Sequence, residues 1–178
     1  MAKWIYLLEG ARRELDEVKG PVPRSVLVDL IRTGRLSGDV IVAPTATFDA
    51  NGLPAYMWPE MIQGLSADLP MLCRVWLRGA EPPSFPERDL WAYHTADDLV
   101  RTRAATGWRL VCALVDDAPN ENMVQYVGAS LLEPFIEHHR DYHARVVFRA
   151  KRDDKFRRCL RSCYDSYLTK EMQELVRG

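Results

Sequence analysis

Two histidines and two cysteines in the C-terminal half have the residue types and spacing of a zinc site. His139 and His143 are four residues apart, as are Cys159 and Cys163. Imidazole nitrogens and thiolates are ligands that tetrahedral Zn²⁺ prefers. Two interpretations stay open: the four side chains converge on one ion, or Cys163 packs in the core while Cys159 is half exposed. Since no other cofactor signature is present, we predict no bound cofactor, and this set is the metal candidate.

A second group of side chains with chemical potential is the run of basic residues between positions 145 and 161. Arginine forks match phosphate oxygens, and neighbouring aromatic rings could stack on bases, so a nucleic-acid or phosphate site is a legitimate alternative function. In the competing interpretation these residues form a solvated face paired with acidic neighbours. The residues assigned to the nucleic-acid alternative are Arg149, Lys151, Arg152, Lys155, Arg157 and Arg158.

Groups suited to catalysis are scarce. His94 is isolated in the sequence, and Ser162 and Ser166 lack the strand-to-helix turn that exposes a hydrolase nucleophile. The glycines of 34–38 follow a predicted helix, whereas a phosphate-binding loop precedes one. We therefore expect a protein that is not an enzyme.

Length and composition predict a globular chain of two modules. The 178 residues are 47% hydrophobic and 28% charged, which excludes a disordered polyelectrolyte, and the net charge of −1 gives no global attraction for polyanions. No apolar run approaches the roughly 20 residues of a membrane span, and the N-terminus lacks the pattern of a signal peptide. Four irregularly spaced cysteines do not form a secreted disulfide framework. We expect a cytoplasmic protein with reduced thiols and no membrane partner.

The first module, residues 1–65, contains the most informative segment. Gly20-Pro21-Val22-Pro23 predicts a turn, and the helix after it should begin near Pro23 because proline fixes φ near the helical value. Gly34 should end this helix, and Val40-Ile41-Val42 should continue as a strand.

With Trp4-Ile5-Tyr6 before these elements and Trp58 after them, residues 3–63 resemble the bacterial second subfamily of GYF-type domains. The resemblance covers about a third of the chain and implies a small α+β adaptor module. The better-known GYF domains bind proline-rich peptides on an aromatic platform. This chain has Leu30 where those domains carry a helix tryptophan, and Arg35-Leu36 replace the aromatic pair of the name motif.

The remaining aromatic residues suggest a different platform in the same module. Aromatic side chains supply large contact area at low entropy cost. The partner-binding residues that we predict are Trp4, Tyr6, Leu30, Arg35, Tyr56 and Trp58.

The second module, residues 71–178, is predicted to be an antiparallel sheet with one packed helix and a long C-terminal helix. Gly64 to Pro70 reads as the linker, and Thr95 should cap a helix over 96–106 that Gly107 ends. From Asp154 onward, apolar residues recur at three and four positions, which predicts one long amphipathic helix. The predicted strands are 72–78, 108–115, 123–129 and 144–149, and the last of them would bury Phe148.

Gly107-Trp108-Arg109-Leu110-Val111 after a helix is similar to a motif in a family of small uncharacterised bacterial proteins. The likeness implies that the glycine caps the helix and that the tryptophan covers the end of a sheet. Because that family has no known function, it adds only a fold.

Taken together, the residues favour a non-enzymatic adaptor or regulator that binds a protein or peptide through the GYF-like module. The first alternative is the nucleic-acid or phosphate-binding protein described above. The second is a structural or assembly protein that forms homo-oligomers through its C-terminal helix.

Overall fold

The computed structural model describes residues 3–7, 18–33, 35–36, 40–44, 53–54, 59–80 and 89–177. The fold class is α+β, as predicted. The chain forms two compact units, Met1–Val75 with Pro83–Thr95, and Trp76–Pro82 with Ala96–Gly178. The segment predicted as the linker contains the end of one helix and the start of the next, and the unit boundaries at Val75–Trp76 and Thr95–Ala96 lie inside helices.

The first unit contains a four-stranded antiparallel sheet of β1 (Lys3–Leu7), β2 (Val18–Pro23), β3 (Ile41–Pro44) and β4 (Leu53–Pro54), in the order β2-β1-β3-β4. β1 lies between β2 and β3, so that Trp4 pairs with Val22 on one side and Pro44 on the other. The segment Gly20 to Pro23, predicted as a turn, is instead the end of β2. It can pair because Gly20 adopts φ 116°, and a Cβ there would lie 2.8 Å from the Trp4 carbonyl oxygen.

Helix α1 (Arg24–Arg32) follows β2 directly and begins where the prolines predict. Its apolar stripe buries Leu27, Val28 and Ile31, as an amphipathic helix against a sheet must. The predicted helix stop, Gly34, lies outside the described residues, as do Tyr56 and Trp58.

The second unit contains helices and no strand among its described residues, so the prediction of a second antiparallel sheet is wrong. No described helix is long and apolar enough to cross a membrane. In chain order the helices after α1 are α2 (Pro59–Leu65), α3 (Leu69–Gly79), α4 (Leu90–Thr102), α5 (Ala104–Asp117), α6 (Glu121–Val127), α7 (Glu133–His138), α8 (His143–Arg152), α9 (Asp154–Arg161) and α10 (Lys170–Arg177).

Each predicted strand of this region lies in a helix. The segment 72–78 lies in α3, 108–115 in α5 and 144–149 in α8, while 123–129 covers most of α6 and the start of the next segment. A short apolar run in a sequence is compatible with either a strand or a buried helix, and in this region the runs form buried helices. In α5, for example, the buried residues include Leu110, Val111, Leu114 and Val115, which is helical spacing.

Two helix boundaries also differ from prediction. Helix α4 begins at Leu90, so Thr95 is not its cap but a fully buried residue inside it. Gly107 does not end a helix, because it lies inside α5, where a Cβ would come within 2.8 Å of the Leu99 carbonyl oxygen. Gly107 therefore allows α5 to pack closely against α4 and does not end a helix.

The predicted long C-terminal helix is two helices. Helix α9 ends at Arg161, a short 3-10 turn spans Asp165–Tyr167, and α10 begins at Lys170. The apolar periodicity survives the break because both helices pack inward, and a periodic pattern does not by itself show where a chain changes direction.

A π-helical segment, Gly128–Leu132, joins α6 to α7. Gly128 is required at its start, since a Cβ there would lie 2.2 Å from the carbonyl oxygen of Cys159 in α9. Here the backbones of two helices meet in the core of the second unit.

Candidate functional site

Helix α8 presents one apolar and one outward face. Val146, Val147 and Ala150 are buried, whereas Arg145, Phe148 and Arg152 are exposed. These three exposed residues are separated by three and four positions, so they lie along one side of the helix. With Tyr142, which directly precedes α8, they form what we call the α8 face.

Two arginine–aromatic pairs make up the α8 face. The guanidinium carbon of Arg152 lies 3.9 Å from the Phe148 ring centroid, and that of Arg145 lies 4.9 Å from the Tyr142 centroid. Stacking on a ring stabilises a guanidinium and orders both side chains. Phe148 nevertheless remains 56% exposed. The face is an ordered surface with an apolar centre between two cations.

Tyr142 is held in place from the interior by an aromatic cluster. Trp108 contacts Phe135 and Phe156 at ring-centroid distances of 5.8 and 5.6 Å, and Phe135 meets Tyr142 edge-on at 5.4 Å. Trp108 is thus half-buried among rings carried by helical segments. Its motif implied instead that it would cover the end of a sheet. The cluster fixes the position of one end of the α8 face.

The other end of α8 is fixed by Asp153, which caps α9. Its carboxylate accepts hydrogen bonds from the backbone N–H groups of Lys155 and Phe156 and from Arg149 Nε. Burial alone would raise the pKa of Asp153, but the Phe156 amide and the Arg149 guanidinium outweigh it and hold the pKa below its ordinary value. The cap is therefore ionised across the neutral range.

Arg149 is tied to two carboxylates. It pairs with Asp153 and, across the unit, with Asp116 at the end of α5. Burial works to lower the pKa of Arg149, and the two aspartates more than offset it, so that the pKa is raised. This residue joins three helices and is a structural cation.

A shallow groove of about 760 Å³ runs between α8 and α9 beside Phe148. Five of its eight lining residues are basic and two are acidic. Lys155 lies in this groove, where its ammonium donates to the carbonyl oxygens of Asp116 and Ala118 rather than to a carboxylate. The groove is thus locally cationic although the whole chain is nearly neutral.

The six residues predicted for nucleic-acid binding lie on α8 and α9, and most of them are paired with acidic groups. Lys151 pairs with Glu171, Arg157 with Asp154, and Arg158 with Glu121. Arg149 is paired as described above. Within the described parts of the chain, Arg152 and Lys155 have no carboxylate within 4.0 Å. Ion pairs within the chain therefore neutralise most of the basic side chains that were predicted to bind phosphates.

The predicted partner-binding residues of the first unit have different exposures. Trp4 is only 2% exposed, so its indole is part of the interior. Tyr6 and Leu30 are half-buried, and Arg35 is exposed. Tyr56 and Trp58 lie outside the described residues, so the complete six-residue platform stays a prediction.

The candidate zinc ligands do not assemble among the residues that the structure describes, where no three His, Cys, Asp or Glu side chains are arranged to hold a metal. His143 Nε2 lies 2.9 Å from the Ile136 carbonyl oxygen, and Cys163 donates to the Gly128 carbonyl oxygen. Burial raises the pKa of Cys159 and of Cys163 well above the ordinary value. Both cysteines are core residues: the expectation that Cys163 packs in the core is confirmed, whereas Cys159, expected to be half exposed, is fully buried.

Phe148 was missed because the strand predicted over 144–149 placed it on a buried face. Its exposure follows once the segment is helical, because Val146, Val147 and Ala150 then form the buried stripe. The signal was present in the sequence as the spacing of these three residues, which fits a helix.

Comparison with known proteins gives no relatives: no family model matches the chain, and no curated protein or solved structure matches it.

Proposed function

We propose that this protein is a non-enzymatic adaptor or regulator that binds a protein or peptide partner, and that the α8 face is a contact surface. The observation that carries the proposal is the 56% exposure of Phe148 beneath the Arg152 guanidinium. Arginine and aromatic residues are enriched where binding energy is concentrated, and charged lysines are not.

The size of the apolar contact is adequate for a binding anchor. A phenylalanine side chain buries on the order of 200 Å², so covering the exposed half of Phe148 contributes roughly 2–3 kcal/mol. Ordering costs are low because Arg152 already restricts the ring. A partner that covers Phe148 thus gains energy at a preorganised site.

The first unit supplies a second proposed surface through its resemblance to GYF-type domains. Among the described residues of its predicted platform, Tyr6 and Leu30 are half-buried, Arg35 is exposed, and Trp4 is buried. An adaptor with one surface on each unit could join two partners.

Nucleic-acid binding is the second candidate, and the observation that favours it is the cationic groove with Arg152 and Lys155 outside any described ion pair. The assembly alternative has less support, since the apolar residues Met172 and Val176 of α10 are already buried within the chain.

The test is photo-crosslinking in cells with a photoreactive phenylalanine analogue at position 148, followed by mass spectrometry with and without nuclease. A matched protein carries the same analogue at Tyr164, an aromatic residue that is 73% exposed and does not belong to the α8 face. We expect a discrete protein adduct at position 148 that resists nuclease and is missing at 164. Adducts with nucleic acid would move the function to the second candidate, and identical adducts at both positions would contradict the proposal.

A further inference from the structure

We infer that the partner presents an acidic helical segment to the α8 face, with two carboxylates two turns apart and an apolar residue between them. The inference rests on the proposed function and specifies the chemistry of its partner. It follows from which cations remain available, how they are spaced, and what lies between them.

The ion pairs within the chain determine which cations can bind a carboxylate of the partner. Of the two acidic residues that line the groove, Asp153 is bonded to Arg149 and Asp154 to Arg157. Arg145 and Arg152, in contrast, have no carboxylate within 4.0 Å in the described chain, and each stacks on an aromatic ring instead. A guanidinium fork in this state binds a carboxylate with two parallel hydrogen bonds.

The distance between Arg145 and Arg152 along α8 determines how the charges of the partner segment must be spaced. Arg145 and Arg152 are seven residues apart, which corresponds to about 10 Å along a helix axis, and Phe148 lies between them. A second helix packed along α8 repeats this spacing with acidic residues at i and i+7 and an apolar residue at i+3 or i+4. The groove beside Phe148 gives such a helix room to seat its apolar side chain.

The surrounding carboxylates favour a peptide over a nucleic acid. Asp116 and Asp154 have side-chain exposures of 52% and 74% near the rim of the groove. A phosphate backbone carries charge at every nucleotide and would meet these carboxylates, whereas a peptide can place its charges at two positions only. The surface therefore selects a ligand by where its negative charges lie, as well as by the fact that they are negative.

The probe is a fluorescein-labelled, alanine-rich helical peptide with glutamates at i and i+7 and a leucine at i+4, titrated with the full-length protein at low salt. We expect saturable binding measured by fluorescence anisotropy. Affinity should fall about tenfold or more in Arg152→Glu and in Arg145→Glu, as for loss of a central charged contact. Arg157→Glu, which alters a cation already paired with Asp154 and outside the groove lining, should change the affinity less than about twofold.

Two control ligands make the result specific. A peptide with the glutamates moved to adjacent positions should bind at least several-fold more weakly. Of two peptides in which one or the other glutamate is replaced by lysine, the one that sets its lysine opposite position 152 should regain affinity for Arg152→Glu. Circular dichroism of every variant verifies the fold. Binding that ignores the glutamate positions, or that single-stranded DNA of equal charge displaces fully, would overturn the inference. If the peptide fails to bind while position 148 still crosslinks to a protein, the acidic helix is wrong and the proposed function stands; if both fail, both are wrong.

Discussion

Arg149 Nε donates to the Asp153 carboxylate at 2.9 Å, and this bond joins the last turn of α8 to the residue that caps α9. The two helices are separated by that one residue, so the direction of the chain at this corner depends on the side chain of Asp153. The α8 face and the groove both lie next to the corner. Loss of the hydrogen bonds at this corner would therefore change the geometry of the proposed site.

Replacement of the cap tests this dependence. Asp153→Ala removes the acceptor for two backbone N–H groups and for Arg149, so we expect the free energy of unfolding to fall by about 1–2 kcal/mol in urea denaturation. Asp153→Asn keeps an acceptor oxygen and should lose less. Equal losses in the two variants would show that the hydrogen bonds of the cap contribute nothing beyond the charge.

The lowered pKa of Asp153 predicts a dependence on pH. A carboxyl group whose folded pKa lies below its ordinary value of 3.8 contributes stability that is present above that value. This contribution is lost as the pH falls through the folded pKa. The difference in unfolding free energy between the wild type and Asp153→Asn should be constant above about pH 5 and shrink below the ordinary value. A difference that grows in acid would have the wrong sign for this mechanism.

Gly128 should be intolerant of a methyl group. Alanine in a helix is normally favoured over glycine by about 1 kcal/mol, yet here its Cβ would lie 2.2 Å from the Cys159 carbonyl oxygen. We expect Gly128→Ala to lower the free energy of unfolding by about 1–3 kcal/mol, since backbone must move to relieve the contact. The neighbouring exposed change Ala129→Gly should cost no more than about 1 kcal/mol. A stabilised Gly128→Ala would show that the two helices are not in this contact.

Two phenylalanines should separate binding from stability. Phe156 is fully buried, so Phe156→Ala should cost about 3–5 kcal/mol of unfolding free energy. Phe148→Ala should cost no more than about 1 kcal/mol, the value of an exposed cation–π contact. Thermal and urea unfolding measure both. A large loss in Phe148→Ala would make the residue part of the fold and would weaken its role as a contact.

The half-buried thiol of Cys112 should react slowly. Burial, only partly offset by Arg149, raises the pKa of Cys112 to about 11. At neutral pH roughly one thiol in ten thousand is then ionised, compared with a few per cent of an ordinary cysteine. Alkylation by iodoacetamide, located by peptide mass spectrometry, should accelerate with pH up to at least about pH 10. A rate that levels off near pH 9 would indicate an unperturbed thiol.

The sequence allowed prediction of some elements but not of others. The start of α1 was predictable because proline restricts φ locally, and the α+β class was predictable from the first unit's pattern. Helix α8 was mistaken for a strand because valines at 146 and 147 favour β structure. The buried positions 146, 147 and 150 overrule that preference, since packing contributes more than propensity.

The candidate site shows the same division. The cluster of basic residues on α8 and α9 could be found from the sequence alone. Which of them are neutralised could not, since Glu121 and Glu171 reach Arg158 and Lys151 from distant positions in the chain. Only the folded arrangement distinguishes Arg145 and Arg152 from the paired cations around them.

The π-helical segment Gly128–Leu132 sets the rotational phase of α7 relative to α6. A π turn holds one residue more than an α turn but winds less per residue, so it absorbs that residue with little change of phase between its two ends. Deleting one residue here would therefore restore an ordinary α-helical repeat and leave Phe135 in the ring cluster that holds Tyr142. The same deletion within the α-helical turns of α6 would instead rotate the following residues by roughly 100° and act on the α8 face without altering any residue in it.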